Sequence, residues 1–244
     1  MASGQVRRLH AQHGRPVHVV GFNMRPQWSE VFEGNPKIAK VRTGDCVILK
    51  NGGGCRPYIQ AKTVRRWYFK EWDIAPGEIF LSDAEREFAE PYRGKILIEP
   101  TTKVPNGNKA WIWERWQQVA GNRDDFIQVG GASATRLDGV DSVVTTFREA
   151  MAVLSVCRAY VGSEGALHHV AAAFDVPAVV LWSEFVHPKF TGYASQRNLR
   201  HAEGYCGSRL PCAGCKASME AIAVDEVLTN LGEVLDSAPR RLAA

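Results

Sequence analysis

AYVGSEGALHHVAAAFDVPAVVLW, residues 159–182, reads as a strand, a tight turn, a helix and a second strand. The five residues AYVGS form a short, mostly apolar run that breaks at Glu164-Gly165. The alanine-rich segment GALHHVAAAFDV has the composition of a helix, and Pro177 marks its end and the start of PAVVLW (177–182). Two apolar strands joined by a helical crossover are the unit from which parallel sheets are built. Gly165 would let a backbone approach a phosphate, with the helix N-terminus aimed at it.

Outward from this unit the same alternation recurs. KILIEP (95–100) is a predicted strand that breaks into the polar loop TTKVPNGNK, and AWIWERWQQVAG is a helix running to Gly121. DFIQVGG (125–131) is a strand, and TTFREAMAVLSVC (145–157) carries apolar residues at helical spacing. Repeated strand–loop–helix units call for a doubly wound sheet. Towards the start, SGQVRRLHAQHG is a helix ending at Gly14, PVHVVGF (16–22) a strand, WSEVFEGNPKI (28–38) a helix or turn, and DCVILK (45–50) a strand. Ser82 opens another helix, with acidic residues in its first turn. In SMEAIAVDEVLTNLGEVL, Ser218 is the predicted N-cap of a last helix. The expected division is residues 1–90, 95–217, and a helix and tail at 218–244.

The chain has 244 residues, 45% of them hydrophobic, which suffices for one large α/β domain or two small ones. A net charge of +4 suits a phosphate-bearing ligand and falls short of the bias of a dedicated nucleic-acid binder. No apolar run reaches the length of a membrane span and no signal peptide is visible, so the expectation is a cytoplasmic protein. The six cysteines are then expected as thiols or metal ligands.

A nucleotide diphosphate is held by backbone N–H groups at helix starts, small hydroxyls and a nearby cation. Two loops offer these groups after predicted strands. One carries Thr101, Thr102 and, just before a Trp-rich helix, Lys109; the other carries Ser163, Glu164, Gly165 and His168. Alone, each pattern is equally a polar turn with solvated charges, and either His168 or His169 equally a core histidine.

Taken together, Thr101, Thr102, Lys109 and Trp111, then Gly165, His168, Ala171 to Ala173 and Val176-Pro177, then Pro188 and Gly192-Tyr193, resemble glycosyltransferase family 9, the heptosyltransferases. The resemblance runs over roughly 95 residues by the order and spacing of these motifs. It implies a GT-B fold, two Rossmann-like lobes with parallel sheets, here with a reduced N-terminal lobe on the acceptor side. It further implies transfer of a sugar from a nucleotide-diphosphate sugar to an acceptor hydroxyl without a catalytic metal. Thr101, Thr102 and Lys109 would hold the leaving diphosphate, Ser163, Glu164 and Gly165 would stand beside the phosphates or sugar, and His168 would orient them.

Two departures qualify the transfer of roles. Ser163-Glu164 stands where the family has Asp in the turn. The strand PVHVV resembles the family's second strand, so the first strand and the Gly-Asp loop with the presumed catalytic carboxylate are not matched. By type alone, Glu30, Glu33 and Asp45 are substitutes for that base. A non-catalytic nucleotide-sugar-binding module is therefore an alternative. The acceptor is a glycan, a protein or a nucleic acid, the last because Arg56, Lys62, Arg65, Arg66 and Lys70 interleave with Tyr58, Trp67, Tyr68, Phe69 and Trp72. Cys206, Cys212 and Cys215 have metal-ligand spacing, with His201 or a distant cysteine as a fourth ligand for structural zinc or iron. Some family relatives that glycosylate autotransporter proteins carry a similar iron-binding finger.

Overall fold

The computed structural model describes residues 1–104 and 107–237; positions 105–106 of the polar loop and 238–244 of the expected tail lie outside the described residues. Helix α1 (Ala2–His13) ends at Gly14, whose φ of 64° is the left-handed geometry a C-terminal cap requires. It packs Val6 against Val17, Val19, Phe32 and Leu49, the small core beneath strands β1 (Val17–Val20) and β2 (Val47–Lys50). These strands pair in parallel, Val17 opposite Val47. Between them only a single 3-10 turn forms, at Glu30–Phe32. The basic and aromatic segment after the glycine run folds as an antiparallel hairpin, β3 (Ile59–Lys62) and β4 (Trp67–Phe69).

Helix α2 (Asp83–Ala89) starts at Ser82 with a capping box: the serine hydroxyl accepts from the Glu85 N–H and the Glu85 carboxylate accepts from the Ser82 N–H. Then come β5 (Ile96–Glu99), α3 (Trp113–Ala120), β6 (Phe126–Gly130), β7 (Asp141–Val144), α4 (Phe147–Val156), β8 (Ala159–Ser163), α5 (Ala166–Ala173), β9 (Ala178–Trp182), α6 (Pro188–Thr191), β10 (Arg197–Arg200), α7 (Ala213–Ala221) and α8 (Val224–Ser237). All six of these strands run parallel in the order β10-β9-β8-β5-β6-β7, so sequential order reverses between β5 and β8. This is the doubly wound strand order.

Strand alternation assigns the core. Ile96, Ile98, Val161, Val179 and Leu181 face Trp116, Met219, Val227 and Leu231 of α3, α7 and α8. Leu97, Tyr160, Val180 and Trp182 face Met151, Leu154 and Val170 of α4 and α5. Both faces are covered, which is why the strands read as nearly continuous apolar runs. Arg148 of α4 fastens α2 and the N-terminal segment to the large sheet. It donates to both carboxylate oxygens of Glu85 at 2.5 and 2.6 Å, to the Phe80 carbonyl at 2.7 Å and to the Glu30 carbonyl at 2.8 Å. That contact holds the Glu85 carboxyl down at about 2.

Two readings are corrected. Ser218 is not an N-cap: α7 begins at Ala213 with Cys212 capping, and the Ser218 hydroxyl lies inside it, donating to the Cys215 carbonyl at 2.9 Å. Within 218–237, Met219, Val227 and Leu231 pack into the core under the sheet. The helix expected from Ala110 starts at Trp113, after an extended Ile112.

Candidate functional site

Ligands in open parallel sheets bind beyond the carboxyl ends of the strands where the strand order reverses. Here that point lies between β5 and β8, where Glu99 stands opposite Gly162. The Thr101–Lys109 loop follows one strand and the Ser163–Gly165 turn follows the other. The fold thus sets side by side two loops separated by some sixty residues of sequence.

Their contact is an ion pair. Lys109 Nζ meets Glu164 Oε2, with the lysine side chain 32% exposed and the glutamate 10% exposed. The ammonium also lies 5.0 Å from the centre of the Phe185 ring, a cation–π contact. Burial alone would raise the Glu164 carboxyl, but Lys109 outweighs it and holds the carboxyl below the usual range. Thr101 and Thr102 are half-buried at the mouth of the same loop, and the Thr102 hydroxyl donates to the Val104 carbonyl at 2.9 Å.

His168 is fully buried. Its Nδ1 accepts from the Gly165 N–H at 3.1 Å and its Nε2 faces the Thr191 carbonyl at 3.2 Å, which fixes the proton on Nε2. Burial pushes its pKa down to about 4, so the ring is neutral. His168 therefore holds the turn in place and has no nitrogen left for a ligand. Its neighbour His169 pairs Nδ1 with the Tyr193 hydroxyl at 3.0 Å. Gly165 is extended, with φ −168°, and a Cβ there would lie 3.6 Å from the Ser163 carbonyl and 4.0 Å from Glu99 Oε2. No strain demands glycine, so its contribution is the open space it leaves beside Glu99. Ser163 is buried at the end of β8, and its hydroxyl has no hydrogen-bond partner among the described residues.

Glu99 escaped the sequence reading. Its Oε2 accepts from the Tyr160 hydroxyl at 2.5 Å, across 61 residues of chain. Burial pushes the carboxyl up to about 7, the Tyr160 hydrogen bond opposes the rise and the Glu164 charge adds to it. The available signal was an acidic residue closing the apolar run ILIE.

The proposed substitutes for a base are not gathered here. Glu30 is exposed, Glu33 is exposed and accepts from Trp28 Nε1 at 2.5 Å, and Asp45 is exposed and 3.5 Å from Arg15. A cavity of about 620 Å³ does open between the N-terminal unit and the start of α5, lined by Gln27, Trp28, Asn51, Arg56, Ala166 and His169 among others. None of Glu30, Glu33, Asp45, Thr101, Thr102 or Lys109 lines it.

In the hairpin, Tyr58 and Phe69 are buried and Phe69 packs on Phe185, Phe190 and Tyr205. Trp72 donates to the Phe190 carbonyl at 2.8 Å. Tyr58, Phe69 and Trp72 are thus spent on packing, whereas Tyr68 stays exposed beside Lys62, Arg65, Arg66 and Lys70. The hairpin docks against the cysteine loop. Gly207 has φ 59°, and a Cβ there would collide with the Trp67 carbonyl at 1.9 Å.

Cys206, Cys212 and Cys215 come together, each Sγ within 4.8 Å of the others and Cys206 Sγ 3.3 Å from Cys215 Sγ. Burial opposes ionisation at Cys212, yet the Cys215 and Gly214 N–H groups at the start of α7 hold its thiol below the ordinary value. Burial pushes the Cys215 thiol upward. Three soft ligands in this arrangement suit zinc or iron with a fourth position left over. His201 does not supply it, being paired with Glu226 Oε2 at 2.8 Å.

Residues 143–220 match the family model of glycosyltransferase family 9 (heptosyltransferase). The match contains the Ser163–His168 turn and the cysteine loop; the Thr101–Lys109 loop lies outside it. Among solved structures the chain is similar to the E. coli ADP-heptose lps heptosyltransferase II at 22% identity and TM-score 0.50, covering 65% of this chain and 53% of that one. It is also similar to the glycosyl transferase family 9 from Veillonella parvula DSM 2008, at 14% identity and TM-score 0.53, covering 68% and 56%. The E. coli heptosyltransferase WaaC with ADP-2-deoxy-2-fluoro heptose aligns at 16% identity and TM-score 0.46, covering 66% and 50%. The chain spans about half the length of the solved structures it matches. No curated protein matches it. The chain thus resembles glycosyltransferase family 9, and its fold is α/β and GT-B-like. No helix of the described residues is long and apolar enough to cross a membrane.

Proposed function

We propose that the chain binds the donor of a heptosyltransferase-like glycosyl transfer, from a nucleotide-diphosphate sugar to an acceptor hydroxyl. The observation that carries this reading is the Lys109–Glu164 pair spanning the two loops at the strand-order reversal. Residues 95 onward, α7 and α8 included, are the donor lobe, and residues 1–90 lie on the acceptor side of the cavity. Thr101 and Thr102 offer hydroxyls to the diphosphate, and Lys109 offsets the charge it gains as it leaves. The bond from the anomeric carbon to the phosphate oxygen breaks, and its electron pair departs with the diphosphate. The acceptor oxygen bonds to that carbon and gives its proton to a base. Glu164 orients Lys109 and faces the sugar side, and His168 acts on both through the turn it braces.

One observation favours a second reading, a nucleotide-sugar-binding module without its own base: among the described residues, no carboxylate lines the cavity. The two separate in one assay. A panel of nucleoside diphosphates is titrated calorimetrically, and sugar release is followed with the matching nucleotide sugars. Tight binding with sugar release is the expected result. Binding without release establishes the module, and the absence of binding to any nucleoside diphosphate overturns both.

The three thiols would hold a zinc or iron ion whose contribution is structural, bracing the 206–215 loop under the hairpin. Elemental analysis of purified protein should find about one equivalent of metal per chain. A content well below that leaves three free thiols.

A further inference from the structure

The loop that carries Lys109 is long and polar, and something must fix where the lysine points. Asn108 does so with its whole side-chain amide. Its Nδ2 donates to the Ser208 carbonyl at 2.9 Å and to the Leu210 carbonyl at 2.9 Å, and its Oδ1 accepts from the Cys212 N–H at 3.0 Å. Every one of these partners lies on the cysteine loop, about a hundred residues away in sequence. That loop is itself anchored to the end of β9, where the Cys206 N–H donates to the Glu184 carbonyl at 2.8 Å and the Gly207 N–H to the Phe185 carbonyl at 3.0 Å. Phe185 is also the ring beneath the Lys109 ammonium. The lysine is thus held at its backbone by the Asn108 clamp and at its head by Glu164 and Phe185.

We infer that Asn108 is a positioning residue for the donor diphosphate, coupling the cysteine loop to the placement of Lys109; this rests on the donor-site reading above. An amide is the one small side chain that donates twice and accepts once in this plane. Alanine loses all three bonds, and aspartate keeps the acceptor but turns a charge towards two carbonyl oxygens.

The test is a double-mutant cycle read by calorimetry, with the tightest-binding nucleoside diphosphate among ADP, GDP, UDP and CDP, and with its monophosphate. Asn108→Ala should weaken the diphosphate at least tenfold and the monophosphate less than twofold, and Asn108→Asp should weaken the diphosphate at least as much as alanine does. In a Lys109→Ala background, Asn108→Ala should cost less than a further twofold, because the group it positions is gone. A merely structural role would lower both nucleotides alike and add fully in the double variant, and that result overturns the inference. So does near-native diphosphate binding by Asn108→Ala. If Lys109→Ala alone leaves diphosphate affinity unchanged, the donor-site reading fails instead, and the two failures are distinct.

Discussion

Lys109→Ala should reduce nucleoside-diphosphate affinity by roughly 100-fold, about 3 kcal/mol. Two effects of the same sign combine. On the proposed donor reading, the substitution removes the cation that would face the diphosphate, a charge-assisted contact of about 1.5–3 kcal/mol. It also strips Glu164 of its partner, leaving a mostly buried carboxylate, 10% exposed, next to an incoming anion. The second effect can be isolated. Lys109→Ala combined with Glu164→Gln should bind better than Lys109→Ala alone, because the orphaned charge is gone. Lys109→Arg, which keeps the charge, should lose less than alanine does. Calorimetric titration measures all three, and an unchanged affinity for Lys109→Ala would remove the diphosphate role from this loop.

For His168→Ala we expect a loss of stability of about 3–4 kcal/mol and a midpoint lowered by roughly 8–15 °C. The ring is fully buried, so its removal opens a cavity. Deletion also leaves the Gly165 N–H and the Thr191 carbonyl without their ring partners. His168→Asn should recover part of the loss, since its short amide can still accept from the Gly165 N–H. Thermal unfolding followed by circular dichroism checks both, and a midpoint within 2 °C of wild type for alanine would show that the turn does not depend on the ring. Because burial lowers the ring's pKa from about 6.5 to about 4, the unfolded chain takes up the proton first, so this contribution should be full above about pH 7 and shrink as pH falls from 6.5 towards 4.

Elements and loops were legible to different degrees. Gly14 as a cap, Ser82 as the start of α2 and the strands at 95–100, 125–131 and 177–182 followed from local chemistry. β7 and β10 did not, because edge strands carry little buried surface: Asp141–Val144 is largely exposed, and in Arg197–Arg200 only Leu199 is buried. A strand that gains its hydrogen bonds from a neighbour rather than its stability from burial leaves no apolar period to read. Ser218 misled for a related reason: a serine that caps and a serine that bonds back to the preceding turn look the same in sequence.

Sequence alone determined most of the alternation of strands and helices, the two polar loops that follow β5 and β8, and the close spacing of three cysteines along the chain. Those are short-range matters, set by propensity, capping and period within about a dozen residues. Only the tertiary structure decided that the sheet reverses its strand order between β5 and β8, and so that Lys109 meets Glu164. It likewise decided that the His168 ring meets the Gly165 N–H and the Thr191 carbonyl, that Tyr160 reaches back 61 residues to Glu99, and that Asn108 grips a loop a hundred residues on. Such contacts depend on which faces the packed sheet buries and which loops it brings to one edge. No local pattern encodes that choice, because it is made by the whole core at once.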